Sequence, residues 1–137
     1  MTAKELSQLY YLNREIDQDK QRLAELEAAA TSTTPKISGL PHASGISDKV
    51  GLAAEIADLK STIEAKAHIT IALYNRIHRF AASLDDSLMR QVITLKYANC
   101  LTWYQVAQHV PDDPQCKVPF SGDALRKRTE RYLDKYF

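Results

Sequence analysis

The chain has 137 residues, 45% of them hydrophobic and 26% charged, which suits one or two small folded domains and excludes global disorder. A formal net charge of only +1 excludes a uniformly basic protein that coats any polyanion. Cys100 and Cys116 are the two cysteines and form no C-x-x-C pair, so a disulfide framework is not expected. With no apolar signal core behind Met1-Thr2-Ala3-Lys4-Glu5 and no membrane-spanning run of about 18 apolar residues, a cytoplasmic protein is expected.

Charge is unevenly spread. Residues 1–30 hold four Lys/Arg against six Asp/Glu, whereas residues 117–137 hold six against three. Any face that meets a polyanion is therefore expected at the C-terminus.

From Ala3 to Ala30 there is no Gly or Pro, and Leu9, Leu12, Ile16, Leu23, Leu26 and Ala30 recur by threes and fours, with Asp19 as the one polar interruption. This spacing predicts a helix with an a/d seam. Thr31 to Ser47 contains 11 Ser, Thr, Gly or Pro among 17 residues and predicts a flexible linker over 31–47.

A second helix is expected from Ser47 or Asp48, either of which can cap it, to about Ser83. Leu52, Ile56, Leu59, Ile63, Lys66, Thr70, Leu73, Ile77, Phe80 and Leu84 keep a 4-3-4-3 rhythm, with Lys66 and Thr70 as polar exceptions. So narrow a seam needs a partner. The first helix is the nearest candidate for an antiparallel hairpin, and the uncovered stretch Leu73 to Leu84 would pack on the C-terminal region or on another subunit, giving a homo-oligomer.

Three short helices follow. The first is expected to start near Ser83 with a Ser83/Asp86 capping box and to run through Leu88, Val92, Ile93 and Leu95 to about Asn99. The second opens on a Thr102/Gln105 capping box, continues through Val106, Ala107 and Val110, and stops at Pro111. The third starts at Ser121, with Leu125, Thr129, Tyr132, Leu133 and Tyr136 on the face to be buried and Asp123, Arg126, Lys127, Glu130, Arg131 and Asp134 on the other. A capped short helix followed by a basic helix is the arrangement that presents a recognition helix to DNA. The fold class predicted is all-α: a helical hairpin over 1–83 followed by a helix-turn-helix domain over 84–137.

The residues Leu95-Lys96-Tyr97, then Leu101-Thr102-Trp103-Tyr104-Gln105-Val106-Ala107, then Ser121, Leu125, Arg128, Arg131 and Leu133 in that order and spacing resemble region 4 of bacterial sigma factors. The ten residues Pro111 to Phe120, with prolines at 111, 114 and 119, depart from the short turn of that family. No segment resembles the sigma region that melts a promoter. The combination is similar to small regulators of the ArpU and RinA type in phages and prophages of Gram-positive bacteria. The resemblance implies a transcriptional regulator that binds promoter DNA with host RNA polymerase and switches on a late operon.

Roles follow for individual residues. Arg126 and Lys127 are expected at base edges, where Arg matches guanine O6 and N7. Ser121 caps the helix whose backbone N–H groups face a phosphate, and Asp123 either accepts from a cytosine amino group or offsets the helix dipole. Arg128 and Arg131 are expected on phosphates or in salt bridges, Thr102 and Gln105 on a phosphate or in the cap alone, and Trp103 in the core against Leu95 and Leu133.

No enzyme is expected. Cys100, His109 and Cys116 lack a fourth ligand for zinc, His68 and His78 are ten apart, and the pairs Asp85-Asp86 and Asp112-Asp113 suit caps or turns; no cofactor is implied. Two alternatives of other classes remain. One is a small terminase subunit, which also joins a helix-turn-helix to assembly helices, usually in the reverse order. The other is an interaction protein that grips polymerase or a coiled-coil partner without reading DNA.

Overall fold

The computed structural model describes residues 1–31, 45–110 and 119–137; most of the expected linker and of the Pro111–Phe120 insertion lies outside them. Among the described residues the chain is all-helical, with no strand. It comprises α1 (Ala3–Thr31), α2 (Gly45–Ala82), α3 (Ser87–Ile93), a π-helical segment (Thr94–Ala98), α4 (Trp103–His109) and α5 (Gly122–Leu133). They pack as two compact units, one of Met1–Leu12 with Thr70–Phe137 and one of Asn13–Ile69.

In the Asn13–Ile69 unit the seam expected from the heptads is the covered face. Ile16 is buried, and Leu23, Leu26, Ala30, Leu52, Ile56, Leu59 and Ile63 are half-buried, while most residues between them are exposed. The two polar interruptions meet each other: Lys66 Nζ donates to Asp19 Oδ2 at 2.6 Å and lies 3.4 Å from Glu15 Oε2. Lys60 Nζ stands 3.5 Å from Glu27 Oε1. Partner numbers rise on α1 as they fall on α2, so these stretches run in opposite directions. The hydrogen bond to Asp19 raises the Lys66 ammonium above its ordinary pKa, against the opposing effect of burial. α2 is already helical at Gly45, which places Ser47 and Asp48 inside it and not at its start.

The other unit is built on one apolar core. Ile77, Met89, Val92, Ile93, Val106 and Leu125 have no exposed surface, and Leu6, Leu9, Leu73, Ala81, Leu84, Ala98, Val110 and Leu133 join them. Leu73, Ile77 and Leu84 thus pack with the C-terminal helices. Leu6 falls outside the a/d positions read from the sequence, yet it is 1% exposed. The start of α1 is closed by an unread capping box: the Thr2 amide donates to Glu5 Oε2 at 2.7 Å and the Glu5 amide to Thr2 Oγ1 at 3.2 Å.

The start of α3 corrects the expectation at Ser83. Ser83 Oγ donates back to the Phe80 carbonyl at 2.6 Å and its amide to the Arg79 and Phe80 carbonyls, so it finishes α2. Asp86 alone caps α3, accepting from the Leu88 and Met89 amides. Arg90 Nη1 fastens the turn between the two helices by donating to the carbonyls of Leu84 (2.6 Å) and Asp85 (3.2 Å). After α3 the ladder widens, with the Asn99 amide donating to the Thr94 carbonyl. Cys100 then takes the left-handed conformation (φ 57°), and the Leu101 amide reaches back to the Leu95 carbonyl at 3.2 Å.

α4 begins with the expected capping box: Gln105 N to Thr102 Oγ1 at 3.2 Å and Thr102 N to Gln105 Oε1 at 2.9 Å. α5 begins with the expected Ser121 cap on the Ala124 amide at 3.1 Å. The two starts touch. A Cβ on Gly122 would stand 2.9 Å from the Trp103 carbonyl carbon, 3.0 Å from its oxygen and 3.1 Å from the Tyr104 nitrogen, all backbone atoms. α5 ends at Leu133, so Tyr136 is not on its buried face as expected. It is 45% exposed in the turn beyond, edge-on to Phe80 with ring centroids 6.1 Å apart.

Two outcomes follow. Gly122→Ala forces one helix start off the other's backbone and should lower the urea-unfolding free energy by about 1–3 kcal/mol; an unchanged midpoint would mean the crossing is loose. Lys66→Ala leaves Asp19 half-buried without its cation and should lower the melting midpoint by a few degrees, whereas the Asp19→Leu/Lys66→Leu double variant should melt at or above the parent midpoint. Sedimentation of that double variant should show mixed species, because the polar pair that marks the register is gone.

Candidate nucleic-acid interface

α5 positions the candidate residues. Leu125, Thr129 and Leu133 recur at four-residue steps and are buried, which fixes the side of the helix that faces the core. Thr129 is the one polar residue among them, and its Oγ1 donates to the Leu125 carbonyl at 2.7 Å, so burying it leaves the hydroxyl donor satisfied. Asp123, Lys127, Arg128, Glu130 and Arg131 are exposed, and Arg126 is less so, its side chain keeping 40% of its surface. Lys127 and Arg131, four apart, form the middle of the outer face.

The cations are not equivalent. Arg126 Nη2 donates to Asp123 Oδ1 and its Nη1 to Glu130 Oε1, each at 2.9 Å, and Lys127 Nζ stands 3.1 Å from Asp123 Oδ2. Asp123 therefore meets one cation with each oxygen. The hydrogen bond from Arg126, then that from Lys127, holds the Asp123 carboxyl below its ordinary pKa, and the bonds to Asp123, then to Glu130, raise Arg126. Asp123 consequently stays ionised in more acidic solution than a solitary aspartate. Arg128 lies over the Phe120 ring at 5.9 Å from its centroid. Among the described residues neither Arg128 nor Arg131 has an ion-pair partner within 4.0 Å.

The supporting helix is tied to the segment before it. Lys96 Nζ donates to the Leu101 carbonyl at 3.0 Å and lies over the Trp103 ring at 5.3 Å from its centroid. Trp103 is half-buried against the core. Thr102 and Gln105 are exposed, with their side chains engaged in the cap. Tyr97 is half-buried, and this burial pushes its hydroxyl pKa upward, with the charge of Glu130 adding to the effect. The sequence places Glu130 on the outer face of the helix without a role of its own; its spacing of four from Arg126 is the signal for the pair.

Among the described residues no group of three or more His, Cys, Asp or Glu is placed to hold a metal ion, and no helix is long and apolar enough to cross a membrane. Cys116, Asp112 and Asp113 lie outside those residues. Comparison of the chain with protein-family models, with curated proteins and with solved structures finds no match.

Proposed function

We propose that the chain is a sequence-specific, double-stranded-DNA-binding transcriptional regulator, with α4 and α5 as its helix-turn-helix and α5 as the recognition helix. The observation that carries this reading is the exposed cationic face of α5, with Lys127 and Arg131 at its centre and Arg128 on its flank, behind a small capped start at Ser121 and Gly122. A helix presented in this way enters the major groove by its N-terminal turns. Lys127 and Arg126 are assigned to base edges, and Arg128 and Arg131, which have no carboxylate within ion-pairing distance among the described residues, to phosphates.

The sigma region 4 resemblance supports the same reading. The first two of its three motif pieces are joined here by the Lys96 contacts to Leu101 and Trp103. On that resemblance the chain acts with host RNA polymerase on a phage or prophage late operon. The heptad stretches of α1 and α2 serve as a coiled-coil hairpin, and the full chain works as a homo-oligomer through those helices.

Fluorescence anisotropy of the full chain on labelled duplex DNA tests this. Arg131→Ala and Arg128→Ala should each weaken binding to all sequences alike and lower the slope of log affinity against log salt by about one. Lys127→Ala should act mainly on a selected sequence, by about 5- to 150-fold. Equal affinity of all three variants and the parent would sink the assignment of α5 to DNA.

A further inference from the structure

Both terminal nitrogens of Arg126 are occupied, one by the residue three before it and one by the residue four after it, and Asp123 also holds Lys127. Asp123, Arg126, Lys127 and Glu130 thus form a lattice of two cations and two anions with no net charge. A phosphate approaching Arg126 meets two exposed carboxylates, with 64% and 57% of their side-chain surface in solvent. Arg128 and Arg131 carry no such screen.

We propose that Asp123 and Glu130 gate Arg126: they withhold its guanidinium from the phosphates of arbitrary duplex DNA and yield it only to a site that presents a bidentate acceptor, such as the O6 and N7 edge of guanine. The inference rests on α5 being the DNA-reading helix and names its specificity-determining residues. Both carboxylates are positioning residues, acting through Arg126 without themselves touching DNA.

Magnitudes make the gate workable. An ion pair at a helix spacing of three or four shifts an equilibrium by about 1.4- to 2.3-fold, so withdrawing Arg126 from two of them costs about 2- to 5-fold in affinity. A single phosphate contact in salt solution returns no more than this, whereas a bidentate guanine contact discriminates by about 5- to 150-fold. Guanine opens the lattice and the phosphate backbone alone does not. A purely structural role, in which these pairs only support the helix at spacings of three and four, predicts no change in DNA binding when their charges are removed under conditions where the protein stays folded.

The test uses the full chain and sheared mixed-sequence duplex DNA as the probe, with circular dichroism to verify folding. Asp123→Asn/Glu130→Gln keeps the shapes and removes the charges. It should bind the mixed duplex about 2- to 5-fold more tightly than the parent, with a salt slope steeper by about one. Adding Arg126→Ala should abolish the gain. Two results overturn the gate while leaving the DNA reading intact: parent and double variant binding alike, or a gain that survives Arg126→Ala and so reflects only lost negative charge. Failure of the parent and all variants to bind any duplex overturns the DNA reading itself, and the gate with it.

Discussion

Helices of seven residues do not persist in water by themselves, so α3 and α4 exist because Met89, Val92, Ile93 and Val106 are withdrawn completely from solvent. Full burial of such a side chain stabilises by about 1.5–3 kcal/mol, a contribution from tertiary packing that propensity alone would not supply to helices this short. The same core receives Leu125 and Leu133 from α5 and Leu73, Ile77 and Ala81 from α2. Because one side of α5 is committed to that core, the opposite side is committed to solvent. The outward placement of Lys127 and Arg131 is a consequence of apolar packing and owes nothing to charge.

The connection from α3 to α4 shows how backbone geometry is held without the usual residues. The widened turn at Thr94–Ala98 and the left-handed Cys100 end one helix where glycine would ordinarily stand. Local contacts compensate. Thr94 Oγ1 donates to the Arg90 carbonyl at 2.8 Å, and Lys96 bridges across the turn to Leu101. The start of α4 is thereby fixed before Thr102 and Gln105 cap it, and Gly122 can approach its backbone closely enough to set the crossing with α5.

What the sequence disclosed divides along the range of the interactions. The capping box at Thr102 and Gln105 and the cap at Ser121 were legible because donor and acceptor lie three residues apart on one element. The seam of α1 and α2 was legible because its period is set by the helix itself. Ser83 misled because a hydroxyl that could open a helix could equally close one, and the competing partner, the Phe80 carbonyl, leaves no mark of its own in the sequence. Leu6 is one position out of phase with the heptad, and its burial depends on the C-terminal core. Nothing local to Gly122 marks it beyond its place after the Ser121 cap; the reason alanine is disfavoured there lies in the Trp103 backbone, nineteen residues earlier.

The basic run Arg126-Lys127-Arg128 illustrates how far local spacing can be taken. Counted as charge, it is three equivalent cations. Counted along a helix, Arg126 has acidic residues three before and four after, Lys127 has them four before and three after, and Arg128 has Ala124, Leu125, Arg131 and Tyr132 at the corresponding positions and therefore none. The ion pairs in the structure agree with the spacing for Arg128, which has none among the described residues, but they divide the other two: Arg126 meets both Asp123 and Glu130, and Lys127 meets Asp123 alone. The cation nearest the helix start is thus the most encumbered, and the field an approaching polyanion meets is strongest toward Arg128 and Arg131. Long-range attraction and close-range discrimination are in this way assigned to different residues of one short helix: the first to side chains that have no carboxylate partner among the described residues, the second to one that must exchange partners before it can bind.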